Sequence, residues 1–122
     1  MRNEFIYISG KISGLKPLQA QGHFNKAANE LAVHHNFNPK YILNPMSLDD
    51  DFPAFERKHF MKLDLDLVEI ADYIYMLDNW RDSDGAKKEL AHAKELNKKI
   101  IYEDPNEVAA NDEEEENQQK RG

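Results

Sequence analysis

The run YIYML at residues 73–77 constrains this chain most. Successive side chains of a strand point to opposite faces, so five apolar residues in a row leave neither face fit for water. Such a strand belongs in a parallel sheet with helices on both sides. The flanking sequence supplies the other elements. EFIYIS (4–9), YILNP (41–45) and KKIIYE (98–103) read as three more short strands. Helical spacing runs from about Leu18 to Asn36, with Phe24, Ala27, Ala28 and Leu31 near one face, and from about Phe55 to Ala71. A third helix lies in DSDGAKKELAHAKE (82–95). The order βαβαβαβ predicts an open parallel sheet of about four strands, wrapped by helices through right-handed crossovers. Ligands of such sheets sit at the carboxyl ends of the strands. Here those ends carry GKISG (10–14), NPMSLDDD (44–51) and DNWRDSDG (78–85).

Charge is unevenly spread. Residues 104–122 hold seven acids against two bases, so of the net −7 only −2 belongs to residues 1–103. This divides the chain into an α/β domain over 1–103 and an acidic tail over 104–122, too poor in apolar residues to pack and expected to be disordered. A near-neutral body lacks the basic face of a duplex nucleic-acid binder but leaves room for a small phosphorylated ligand. With no cysteine, thiolate zinc sites and disulfides are excluded. No apolar run approaches membrane-spanning length and the N-terminus reads as a strand, not a signal peptide, so a cytoplasmic protein is expected.

Two helices place a carboxylate where a carboxylate is expensive. At ~100° per residue, with Ala86 at zero, Leu90 falls near ~40° and Ala93 near ~340°, while Glu89 lands near ~300° inside the same apolar arc. On the preceding helix, with Phe60 at zero, Leu67 falls near ~340° and Ala71 near ~20°; Asp64 sits between that stripe and Val68, near ~40°. A buried carboxylate must be paired, hydrogen-bonded or raised in pKa. A shared catalytic site is one reading. The structural alternatives are a helix-dipole position for Glu89 and pairing of Asp64 with Lys58 or His59.

The loops leave alternatives too. GKISG is either an anion cradle of backbone N–H groups or a plain βα turn, and its spacing matches neither a Walker loop nor a dinucleotide fingerprint. Trp80 is either core or a cover for an aromatic ligand. The five histidines show no metal-ligand spacing along the sequence, and no metal site is expected.

These residues resemble a known family. IYISG with SG at 13–14, DLDLVEIADYIYML (64–77) and DSDGAKKELAHA (82–93) are similar to motifs of the nucleoside 2-deoxyribosyltransferases, most of all their short bacterial and phage branch of deoxyribosyltransferase-like domains. The resemblance spans about residues 4–103. It implies a flavodoxin-like sheet of order 2-1-3-4, a small-molecule nucleoside or nucleotide as substrate, no cofactor, and a homo-oligomer. It implies Glu89 as the nucleophile that attacks the anomeric carbon, Tyr7 as its hydrogen-bonding partner and Asp64 as the group that contacts and protonates the leaving base. The candidate substrate-binding residues are Ser9, Gly10, Lys11, Ile12, Ser13, Gly14, Asn44, Trp80, Ser83 and Gly85.

Three positions depart from the transferases. Ser83 stands where they carry an aspartate, as it does in the related 2′-deoxynucleoside 5′-monophosphate N-glycosidases, which use that serine to hold phosphate. Those hydrolases place an arginine where Ser13 stands here, and both groups carry glycine where this chain has Lys87. The resemblance therefore implies a transferase or hydrolase of the N-glycosidic bond. The alternative is a non-catalytic nucleotide-binding module of the same fold.

Overall fold

A computed structural model describes residues 1–48 and 51–107 of the chain. Four parallel strands form one open sheet: β1 (Ile6–Ser9), β2 (Ile42–Leu43), β3 (Tyr73–Met76) and β4 (Lys99–Tyr102), in the order β2-β1-β3-β4. Three helices connect them: α1 (Pro17–Val33), α2 (Arg57–Ile70) and α3 (Asp84–Glu95). This is the expected open α/β sheet of order 2-1-3-4.

Local chemistry sets the element ends. Pro17 opens α1, where a missing N–H costs nothing, and Asn36, in the left-handed region at φ 61°, turns the chain back beyond its end. Glu56 and His59 form a reciprocal capping box at the start of α2. Ser83 caps α3 by accepting from the Ala86 N–H. The strand expected over 41–45 shrinks to two residues, because Pro39 and Pro45 each start a short 3-10 turn on either side of it. Asp72 aligns β1 with β3. Its carboxylate accepts from the Phe5 N–H, and its own N–H donates to the Phe5 carbonyl.

The sheet separates two apolar layers. Ile6, Ile8, Tyr75 and Leu77 pack with the Ala20, Phe24, Ala27 and Leu31 face of α1. On the other side Ile74, Met76 and Tyr102 pack with Val68 of α2 and with Ala86, Leu90 and Ala93 of α3. Because side chains alternate, Tyr7 points to the α2/α3 side. Ser9, two residues on, shares that side. Tyr7 and Ser9 are both fully buried.

At Gly10 the chain leaves β1 directly against Leu77. A Cβ there would stand 2.5 Å from Leu77 Cδ1 and 2.8 Å from its Cβ and Cγ, so the whole buried Leu77 side chain would have to move. Gly10→Ala is expected to cost about 1–3 kcal/mol, the usual range for overpacking; urea denaturation measures it.

The described part of the acidic stretch does make contacts. Glu107 accepts from Trp80 Nε1 at 2.6 Å and pairs with Arg81, whose guanidinium lies over the Trp80 ring. Residues 104–107 therefore attach to the segment after β3, and the boundary expected at 103/104 misses this anchor. The remainder of the expected tail, 108–122, lies outside the described residues. A chain ending after Asp104 should be less stable than one ending after Glu107 by about 1 kcal/mol, the scale of a single partly exposed charged hydrogen bond. Equal melting temperatures would contradict the anchor.

Candidate active site

Strand alternation and helix phase deliver three side chains to one point at the carboxyl edge. Tyr7 Oη donates to Glu89 Oε2 at 3.1 Å, and Ser9 Oγ donates to Glu89 Oε1 at 2.6 Å. Each oxygen of the carboxyl group is thus held by a different hydroxyl of β1. Asp64, on α2, lies near enough for its charge to act on the Tyr7 hydroxyl and lines the same cavity. Glu89 is 4% and Asp64 8% exposed, so both helix wheels identified buried positions. Lys58 and His59, the suggested structural partners of Asp64, instead bond to Glu56.

Burial governs the electrostatics. It pushes the Glu89 carboxyl up to about 8, with the neighbouring Asp64 adding to the rise and the hydrogen bonds from Ser9 and Tyr7 opposing it. The Tyr7 hydroxyl is raised well above its usual value, first by burial and then by the charges of Glu89 and Asp64. Tyr7 therefore stays a neutral donor across the whole physiological range.

These groups form one wall of a cavity of about 440 Å³. A Cβ on Gly85 would meet the Met61 Cε methyl at 3.0 Å, so the glycine leaves room for that side chain in the cavity wall. Of the candidate residues, Tyr7, Gly10, Ile12, Ser13, Asp64, Ser83, Gly85 and Glu89 line the cavity, with Ser9 behind Glu89. The structure does not place Lys11, Gly14, Asn44 or Trp80 among the lining residues. The Lys11 N–H is taken by Asn79 Oδ1, which removes a donor from any anion cradle in GKISG. Gly14 serves the turn, at φ +85°. Asn44 caps the 3-10 turn after β2 through the Met46 N–H and bonds Asn25. Trp80 stacks obliquely on Tyr102 and bonds Glu107. Polar loop residues here mostly satisfy neighbouring backbone.

Several lining residues escaped the sequence reading. Phe52, Phe55 and Phe60 form a contiguous aromatic group beside the carboxylates, Phe52 and Phe55 stacked at 4.8 Å and Phe55 edge-on to Phe60 at 5.3 Å. Arg57, the first residue of α2, lines the same cavity, and among the described residues no carboxylate pairs with it. Its signal was legible: seven residues before Asp64 is two helical turns, hence the same face. Lys87 is exposed and outside the lining, so it leaves the cavity unobstructed.

Fold and site together define an open parallel α/β domain with a buried acidic pair and a tyrosine beneath an aromatic-lined cavity at its carboxyl edge. Residues 4–102 match the family model described as Domain of unknown function (DUF4406), and the chain belongs to that family. No curated protein and no solved structure matches it.

The raised Glu89 carboxyl has a consequence for stability. The folded state binds its proton more tightly than the unfolded chain, where the group titrates near 4.5. Its favourable contribution is complete below about pH 4.5 and is lost as pH rises through about 8. Glu89→Gln has no proton to lose and keeps the shape. Relative to the parent it should gain stability steadily from pH 5 to pH 8.5, by at least about 1 kcal/mol at the upper end. Urea melts of both proteins at three pH values measure this. A Gln variant destabilised equally at every pH would mean that Glu89 is held for structure alone.

Proposed function

We propose that this protein is an enzyme of the N-glycosidic bond, acting on a nucleoside or nucleoside 5′-monophosphate through a glutamyl-glycosyl intermediate. The observation that carries the reading is the grip of Tyr7 and Ser9 on the Glu89 carboxyl at the wall of an open cavity. A carboxyl kept for structure alone also needs hydrogen-bond donors, but it has no need of open space beside it. This one is oriented by hydroxyls and faces space sized for a small ligand.

In the first step, ionised Glu89 attacks the anomeric carbon. The C1′–O bond forms as the C1′–N bond to the base breaks, and the bonding pair leaves with the base. Asp64, beside Tyr7 in the same wall, is the group that contacts the base and returns a proton to it. In the second step water, or an N–H nitrogen of a second base, attacks C1′; Asp64, left ionised by the first step, takes the proton, and Glu89 leaves as a carboxylate. Hydrolysis and transfer differ only in that acceptor. The Phe52, Phe55 and Phe60 group suits an aromatic base, worth about 0.5–1.5 kcal/mol per aromatic contact beyond burial. Arg57 and the Ser83 hydroxyl suit a 5′-phosphate. The deoxyribosyltransferase resemblance supports the same chemistry and the same residues. A homo-oligomer and a cytoplasmic location complete the proposal.

A panel of 2′-deoxynucleosides and their 5′-monophosphates, scored by chromatography for free base, tests it. Base should be released from at least one member, and Glu89→Ala and Glu89→Gln should abolish that release. Since attack requires the ionised carboxyl, kcat/KM of the parent should rise about tenfold or more between pH 6 and pH 8. Arg57→Ala should raise KM for a monophosphate and leave its parent nucleoside unaffected. Tight nucleotide binding with no base release would make the protein a binding module. Undiminished turnover by Glu89→Gln would remove Glu89 as the nucleophile.

A further inference from the structure

On the face of the sheet opposite Glu89, a second set of polar side chains converges. His23 comes from the second turn of α1, Asp78 follows β3, and Glu103 follows β4. One donor atom from each lies within 4.8 Å of the others. His23 Nε2 is 2.9 Å from Glu103 Oε1 and 3.6 Å from Asp78 Oδ1. Donors each about 2.1 Å from one ion stand roughly 3.0–3.4 Å apart. We propose that His23, Asp78 and Glu103 form a binding site for a divalent transition-metal ion, with Zn²⁺ the best match to the donor set.

The donor chemistry selects the cation. One imidazole nitrogen with two carboxylate oxygens and water is a borderline set, suited to Zn²⁺, whereas Mg²⁺ and Ca²⁺ prefer oxygen alone. His23 Nε2 and the Asp78 N–H each bond Glu103 Oε1 at 2.9 Å; a metal would take Nε2 in place of its hydrogen bond, with the ring proton moved to Nδ1.

Charge points the same way. Among the described residues no lysine or arginine pairs with Asp78 or Glu103, and His23 is the basic group beside both. A dication answers this excess of negative charge. The Glu103 and His23 side chains are only 14% and 23% exposed, while Asp78, at 62%, leaves a way in from solvent.

The position gives the ion work to do. Asp78 begins the segment that leads to Ser83, and its neighbour Asn79 holds the Lys11 N–H of the loop after β1. A metal on His23, Asp78 and Glu103 would pin α1, that segment and the end of β4 together. It would act as a structural clamp behind the cavity, whatever reaction the cavity performs.

The test is calorimetric titration of the full chain, stripped with a chelator, with ZnCl2. The parent should bind one Zn²⁺ in a saturable step, and its melting temperature should rise. His23→Ala and Asp78→Asn should each weaken that step by at least about 10–100-fold, and should lose the thermal shift. Asp78 is exposed, so its variant tests the site even if His23→Ala folds poorly. Glu89→Gln should bind like the parent, which separates this site from the cavity. The carboxylates of residues 107–122 are common to every variant and cancel in the comparison. Equal Zn²⁺ affinity in the parent and both site variants would overturn the proposal, as would Mg²⁺ binding at the same step with equal strength.

Discussion

Two hydroxyls on one short strand hold the carboxyl of Glu89, and much of the architecture serves that arrangement. Tyr7 and Ser9 are two residues apart, so strand alternation directs both to the same face. A buried carboxyl without partners costs several kcal/mol, and here each oxygen has a donor. The bonds fix α3 in rotation and height against β1, since Glu89 reaches both hydroxyls in only one register. Asp64 brings a second buried carboxyl to the same point from α2, where its charge acts on Tyr7 and on Glu89. Parallel β1 and β3, the flush contact at Gly10 and the close approach of Gly85 to Met61 all lie within a few residues of this point.

The fold was legible because its constraints are local and repeated. YIYML has no polar break, so it had to be an inner strand, and the structure places it between β1 and β4. Apolar spacing set the helices, and glycine, proline and capping residues set most of their ends. The second strand was overestimated because Pro39 and Pro45, obvious in the sequence, each open a 3-10 turn, and these turns take Tyr41 and Pro45 out of the expected run. The anchor at Glu107 was hidden for a different reason. Its value lies in Trp80 and Arg81, 27 and 26 residues earlier, and no local pattern reports such a pairing.

The site divides along the same line. Asp64 and Glu89 stood out because each breaks an apolar helix face, a conflict visible within two turns. Tyr7 and Ser9 entered only through the family resemblance, since nothing in the pattern of the strand itself marks them. Loop residues were harder. Asn44, Lys11 and Trp80 have the right chemistry for a ligand, but neighbouring groups already engage them. Phe52 and Phe55 sit outside regular structure, where no period assigns a face. Arg57 was within reach, two helical turns before Asp64 and so on the same face. His23, Asp78 and Glu103 are scattered over 80 residues and meet only when the sheet is built.

The account stands or falls on a covalent bond between Glu89 and a sugar. The most direct measurement is mass spectrometry of the protein, acid-quenched during turnover of whichever substrate releases base, followed by peptide mapping. The account predicts a mass increase equal to the bound glycosyl group, located on the peptide that contains Glu89, with retained configuration at C1′ in the product. Turnover with no adduct and an inverted product would contradict it.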